Sequence, residues 1–202
     1  FPSTGESPGL PSFYGGPIRR ADGSWIATLG LYWAGQPMTP SPDGPVLKMS
    51  VVAISSADGY DWTFLSVVAN ATSGPHSSVF GPDENDLALQ ADGKTLLCVL
   101  RMDGDGPCDS GSRKANGGTG GDYRYYAASV SSDNGVSWSH PEPIVGAGCA
   151  RPRLLSLGAT KPILMSGGRL CVENTTDLSL WVNPAGVVKP GSGGAWSKHS
   201  LS

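Results

Sequence analysis

The chain is expected to be all-β, built from repeated four-stranded units, and three observations lead there. Glycine and proline contribute 29 and 17 of the 202 residues while charged residues make up 15%, a mixture that suits short strands and many turns. The apolar segments lack the 3.6-residue period of amphipathic helices. An Ala-Asp-Gly turn between apolar runs occurs at Ala21-Asp22-Gly23 and again, 70 residues on, at Ala91-Asp92-Gly93. Asp-Gly between two apolar runs is a strong hairpin signal.

In chain order, Ile18–Leu29 reads as strand, turn and strand, and Leu87–Leu100 repeats the plan around Asp92-Gly93. A looser third copy runs from Arg153-Leu154-Leu155-Ser156-Leu157 through a turn near Gly158 to Pro162-Ile163-Leu164-Met165. Each copy continues into a second hairpin. Met49–Ile54 leads into Ser55–Trp62 and then Thr63–Val68. Tyr123–Val130 alternates and is rich in aromatic and β-branched residues, as a strand should be. It leads into Ser131-Ser132-Asp133-Asn134-Gly135-Val136-Ser137-Trp138, whose Asp, Asn and Gly are turn formers and whose Trp138 is expected to open the next strand. Leu178–Val182, a Gly-rich turn and Trp196 form the third. The expected units span about 13–75, 76–145 and 146–202.

Four-stranded units of this length read as propeller blades. A sandwich of two packed sheets is the rival, since it too shows short strands and regular turns; the repeated turn and tryptophan favour the propeller. The spacing Ser-x-Asp-x-Gly-x-Ser-Trp at Ser131–Trp138 is the Asp-box pattern and resembles the repeat of sialidases and related propellers. Ser55, Gly59 and Trp62 read as a degenerate copy, with Ala57 where the Asp belongs. The resemblance implies a sialidase-like six-bladed β-propeller, of which about three four-stranded blades are present. A truncated sequence is expected, because three blades cannot close a ring.

The formal charge of −3 and the absence of a basic run argue against a nucleic-acid partner. No apolar stretch approaches the roughly 20 residues that span a bilayer. Cys98, Cys108, Cys149 and Cys171 include no Cys-x-x-Cys pair, which speaks against zinc. His76, His140 and His199 are scattered, so no metal or cofactor is expected. Gly117-Gly118-Thr119-Gly120-Gly121 lacks the lysine and helix of a phosphate loop. It reads as an insertion joined to Asp103-Gly104-Asp105-Gly106. The even cysteine count and the sequons at Asn70 and Asn174 point to a secreted or lumenal protein.

The chemistry-bearing residues lie at strand ends. Asp83-Glu84-Asn85-Asp86, then Asp92-Gly93, an apolar strand and Arg101 resemble an active-site blade of exo-sialidases. By that resemblance Glu84 takes the proton of a nucleophilic tyrosine, and Arg101 belongs to an arginine clamp on the substrate carboxylate. Arg151, before Pro152 at the next blade's opening strand, resembles the third member of that clamp, with Arg153 and Arg169 as alternatives. Asp43, in a Pro-rich loop of the first unit, corresponds to the acid/base aspartate. Guanidinium groups bind carboxylates in planar, bidentate fashion, which suits a sugar carrying a carboxylate on its anomeric carbon. A phenol nucleophile avoids the repulsion that a carboxylate would meet there, and needs a neighbouring base.

Two departures stand out. Phe13-Tyr14-Gly15-Gly16-Pro17 occupies the place of the family's first arginine without supplying one, and Thr176–Trp181 contains no tyrosine. The expected function is an exo-sialidase-like glycoside hydrolase acting on terminal sialic acids of glycoconjugates. The alternative is a catalytically inactive Asp-box propeller that binds glycans or proteins. Glu84 and Arg101 could also form an ordinary ion pair at a blade end.

Overall fold

The computed structural model describes residues 11–32, 49–74, 81–106, 121–148, 150–168 and 178–200. Among these there is no helix, and thirteen strands form three antiparallel sheets. The first sheet contains β1 (Ser12–Phe13), β2 (Ile18–Arg19), β3 (Trp25–Tyr32), β4 (Met49–Ser56) and β5 (Thr63–Asn70). Both β1 and β2 pair with β3, Ser12 opposite Gly30 and Ile18 opposite Ile26. They are two pieces of one edge, interrupted at Tyr14-Gly15-Gly16-Pro17. The second sheet runs β6 (Gly81–Leu89), β7 (Leu96–Gly106), β8 (Gly121–Ser131) and β9 (Glu142–Pro143). The third runs β10 (Ala150–Ser156), β11 (Ile163–Gly168), β12 (Ser179–Asn183) and β13 (Ser197–Ser200).

The hairpins follow from local chemistry. Asp92 accepts the N–H groups of Lys94 and Thr95 at 3.0 and 2.8 Å, and Gly93 takes the left-handed backbone that the turn needs (φ 73°). In the Ser131–Trp138 turn, Asp133 accepts Ser131 Oγ–H at 2.8 Å and Ser137 N–H at 2.9 Å. Gly135 N–H donates to Ser131 Oγ at 2.8 Å. Trp138 is itself part of this turn, not the start of a strand: its indole N–H donates to Gly135 O at 3.1 Å.

The turn after β4 differs from the sequence reading by one residue. Ser56 and Asp58, rather than Ser55 and Ala57, do the work of Ser131 and Asp133. Asp58 accepts Tyr60 N–H at 2.8 Å, and Gly59 N–H meets Ser56 Oγ at 2.8 Å. Gly59 follows Asp58 directly, so the loop is one residue shorter. The tryptophan contact survives there: Trp62 donates to Gly59 O at 3.1 Å, and in the third sheet Trp196 donates to Gly193 O at 2.9 Å.

Strand β7 explains why three sheets hold together. Its side chains alternate, Leu96, Cys98, Leu100 and Met102 packing in the core shared with the first sheet. Leu97 and Val99 pack in the core shared with the third, beside Tyr126, Met165 and Trp181. A strand covered on both faces reads as a continuous apolar run, as Leu96–Leu100 does. Cys98 is fully buried as a free thiol. Polar brackets join the sheets as well. Ser66 donates to Gly135 O at 2.5 Å and accepts Trp138 Nε1–H at 3.1 Å. Buried Gln90 donates to Val188 O at 3.0 Å and accepts Val188 N–H at 2.5 Å.

Candidate functional site

The second sheet opens on Gly81-Pro82-Asp83-Glu84-Asn85-Asp86, and its ladder is irregular there. Pro82 pairs with Met102, but the next pair is Asn85 with Leu100, leaving Asp83 and Glu84 in a bulge. A bulge re-aims side chains, and both carboxylates reach Arg101 of β7. Arg101 donates to Glu84 through Nη1 and to Asp83 through Nη2. It also forms a bidentate pair with Asp103, Nε to Oδ1 and Nη2 to Oδ2, each at 2.7 Å. Arg101 is only 7% exposed. A buried cation is tolerable only when its charge and donors are met, and three carboxylates meet them here.

The first and third sheets contribute to the same place. Tyr14, in the break between β1 and β2, donates its hydroxyl to Asp83 Oδ1 at 2.8 Å. The neighbouring Gly15 passes so close that a Cβ would lie 2.0 Å from Asp86 Oδ1, so a larger residue would displace that carboxylate. From β10, Arg151 donates its backbone N–H to Glu84 Oε2 at 2.6 Å, with its Nε 3.4 Å from Glu84 Oε1. Asp86 accepts Leu87 N–H at 2.9 Å and Leu154 N–H at 2.8 Å. Tyr126 of β8, fully buried, donates to Ala150 O at 2.9 Å.

These surroundings shift the ionisable groups. Burial, with neighbouring Asp83 adding repulsion, pushes the Asp103 carboxyl up to about 7 against the pull of Arg101. Burial raises the Asp86 carboxyl too, opposed by the two backbone N–H groups it accepts. Tyr14 is pushed up, first by burial and then by its bond to Asp83. The carboxylates hold Arg101 firmly protonated in spite of its burial. The result is a buried carboxyl that holds its proton more tightly than usual, set between other carboxylates. Among the described residues, no group of three or more His, Cys, Asp and Glu side chains could hold a metal ion. Arg101 fills the centre of the acidic cluster.

Glu84, Arg101 and Arg151, singled out from sequence, therefore lie together. Asp43 and Arg169 lie outside the described residues. Arg153 is exposed on β10. The cluster also contains residues that sequence reasoning passed over. Asp83 stood beside Glu84 in an acidic run but carried no distinguishing spacing. The sequence places Asp103 in a glycine-rich insertion, whereas β7 continues to Gly106, which pairs with Gly121 at the start of β8. Tyr14 had no signal beyond filling the place of an expected arginine.

No family model matches the chain, and no curated protein matches it. Among solved structures the chain is similar to one described as the structure of RS223-Beta-xylosidase, with a TM-score of 0.58 and 12% sequence identity. The match covers 95% of this chain and 62% of that one, so this chain spans less than two thirds of the neighbour's length. At that identity the likeness speaks for architecture alone: the protein has a propeller-like all-β fold of antiparallel sheets.

Proposed function

We propose that the complete protein is a glycoside hydrolase that removes terminal sugars from glycoconjugates. The observation that carries this reading is the convergence of residues from all three sheets on one buried carboxylate cluster around Arg101. Glycoside cleavage needs one group to protonate the leaving oxygen and another to support the developing positive charge. A buried carboxyl whose hold on its proton is raised, as at Asp103, suits the first role. In this reading Asp103 and Glu84 are the proton-exchanging and charge-supporting carboxylates, and Asp43 is the further acid that the sialidase resemblance implies.

The sugar follows from the arginines. A sialoside brings a carboxylate, and Arg151 is the described guanidinium placed to receive it: its side chain is 69% exposed at the edge of the cluster. Arg101 serves that clamp only indirectly, since its donors face Asp83, Glu84 and Asp103. This saturation is the specific observation that favours a second reading, an uncharged glycoside such as the xyloside named for the structural neighbour. Fluorogenic sialoside and xyloside, offered to the complete protein, separate the two. Turnover of either, cut at least 100-fold by Asp103→Asn, is the expected result. Binding of a glycan without turnover would move the protein to the inactive, glycan-binding alternative, and indifference to all sugars would reject the reading altogether.

A further inference from the structure

The sequon Asn70-Ala71-Thr72 lies where the first sheet ends, in a turn that fixes its carboxamide. Asn70 is the last residue of β5, and Ser73 N–H donates back to its carbonyl at 3.1 Å. Asn70 Oδ1 accepts Thr72 N–H and Thr72 Oγ1–H, each at 2.9 Å, and Ser73 Oγ–H at 3.1 Å. A backbone N–H can only donate, so the amide oxygen faces the turn and Nδ2 faces away from it. Among the described residues that nitrogen has no partner.

The turn is anchored on the second sheet while its outer side meets solvent. Ala71 is buried, and a Cβ on Gly81 would lie 3.2 Å from its Cβ. A Cβ on Gly74 would lie 2.8 Å from the His140 side chain. Thr72, between these contacts, is exposed. Strand β5 is also an edge: among the described residues it pairs with β4 alone. Edge strands present unpaired N–H and C=O groups that template pairing with another chain. This one adds apolar surface, with Phe64 44% and Val67 39% exposed. Proteins cover or interrupt such edges.

We infer that Asn70 is an N-glycosylation site and that its glycan guards the open edge of β5. The transfer joins Asn70 Nδ2 to the anomeric carbon of an oligosaccharide carried on a polyprenyl diphosphate. The bond from that carbon to the diphosphate oxygen breaks, its electron pair stays with the diphosphate, and the amide gives up one proton. Transfer precedes folding, and the fold decides whether the product can be kept. It can be kept here, because the acceptor nitrogen points away from the turn. The linked amide retains its oxygen, so the bonds from Thr72 and Ser73 survive. A bulky, solubilising group at the end of an edge strand hinders a second chain from pairing beside Phe64 and Val67. The inference goes beyond the hydrolase reading and does not depend on it.

The test uses the complete protein secreted from a eukaryotic cell. Mass spectrometry of the peptide carrying Asn70 should show a glycan that a peptide:N-glycosidase removes. Thr72→Ser keeps the sequon and should keep the glycan, whereas Thr72→Ala should lose it. Asn70→Asp removes the acceptor nitrogen yet leaves an oxygen for Thr72 and Ser73, so the turn is preserved. On gentle heating, light scattering should rise faster for Thr72→Ala and Asn70→Asp than for wild type and Thr72→Ser. A bare Asn70 in the secreted protein overturns the site. A glycan found only on retained, unfolded chains overturns the claim that the fold accommodates it. Equal association rates in all four proteins overturn the guarding role even where the glycan is present.

Discussion

Arg101 and its three carboxylates form a unit in which no member can be removed cheaply. The guanidinium neutralises part of the acidic charge, and burial, with Asp83 beside it, raises the hold of Asp103 on its proton. That proton links folding to pH. The Asp103 carboxyl ordinarily titrates near 3.8 and is raised to about 7 in the folded protein, so the native state binds more protons than the unfolded state between these values. Its contribution to stability is greatest below about pH 4 and is lost as pH rises through about 7. Denaturant midpoints measured from pH 4 to 8 should carry a declining component in wild type. Asp103→Asn, which cannot titrate, should lack it, and an unaltered pH profile in that variant would dismiss Asp103 as the shared site.

At the scale of the element, turns do more than reverse the chain. Asp133 ties Ser131 and Ser137 together within its own loop, and the loop docks on the first sheet where Arg20 donates to Asn134 O at 2.6 Å. Asp133→Ala should cost about 1–2 kcal/mol in urea unfolding, the net worth of a few partly exposed hydrogen bonds. These elements were legible because their signals are local. Asp-Gly steps, the Ser-x-Asp spacing and two-residue alternation are all contained within a dozen residues. The candidate site was only partly legible, because its partners are far apart in sequence. The hydroxyl of Tyr14 reaches a residue 69 positions away, and the bulges at Asp83-Glu84 and Arg151 arise from sheet-to-sheet contacts that spacing does not encode. Asp103 was hidden by composition: glycines on either side of Asp105 suggest a loop, yet β7 continues through a bulge after Asp103 to pair Gly106 with Gly121. The same limit explains the one-residue slip at Ser56, since either serine fits the pattern and only the hydrogen bonds choose.

For the whole molecule, the second sheet is the keystone. Its strand β7 packs in two of the three apolar cores, and its Gln90, Glu84 and Asp86 grip the third sheet through backbone groups. Gln90→Ala should therefore cost about 2–4 kcal/mol, because it strands a buried N–H and a buried carbonyl of Val188 together. The loss should appear as one earlier cooperative transition by circular dichroism and fluorescence alike; a separate early transition of the third sheet would show that the bracket does not couple the two. At the far end of β6 lies a cavity of about 440 Å³, walled mainly by Leu87, Leu89, Leu154 and Leu155, and Leu155 is 57% exposed. The apolar cores are therefore continuous with an uncovered surface at that end.

The seat of Cys98 turns the molecule into its own stopwatch. Its sulfur lies in the centre of that keystone sheet, fully enclosed, with burial and nearby Asp86 both disfavouring the thiolate. A thiol reagent can reach it only when the central sheet parts from the first. With Cys108, Cys149 and Cys171 replaced by serine, its modification rate should track the equilibrium for global opening, rising in step with denaturant. Rapid modification under native conditions would mean that the middle of the protein breathes without unfolding.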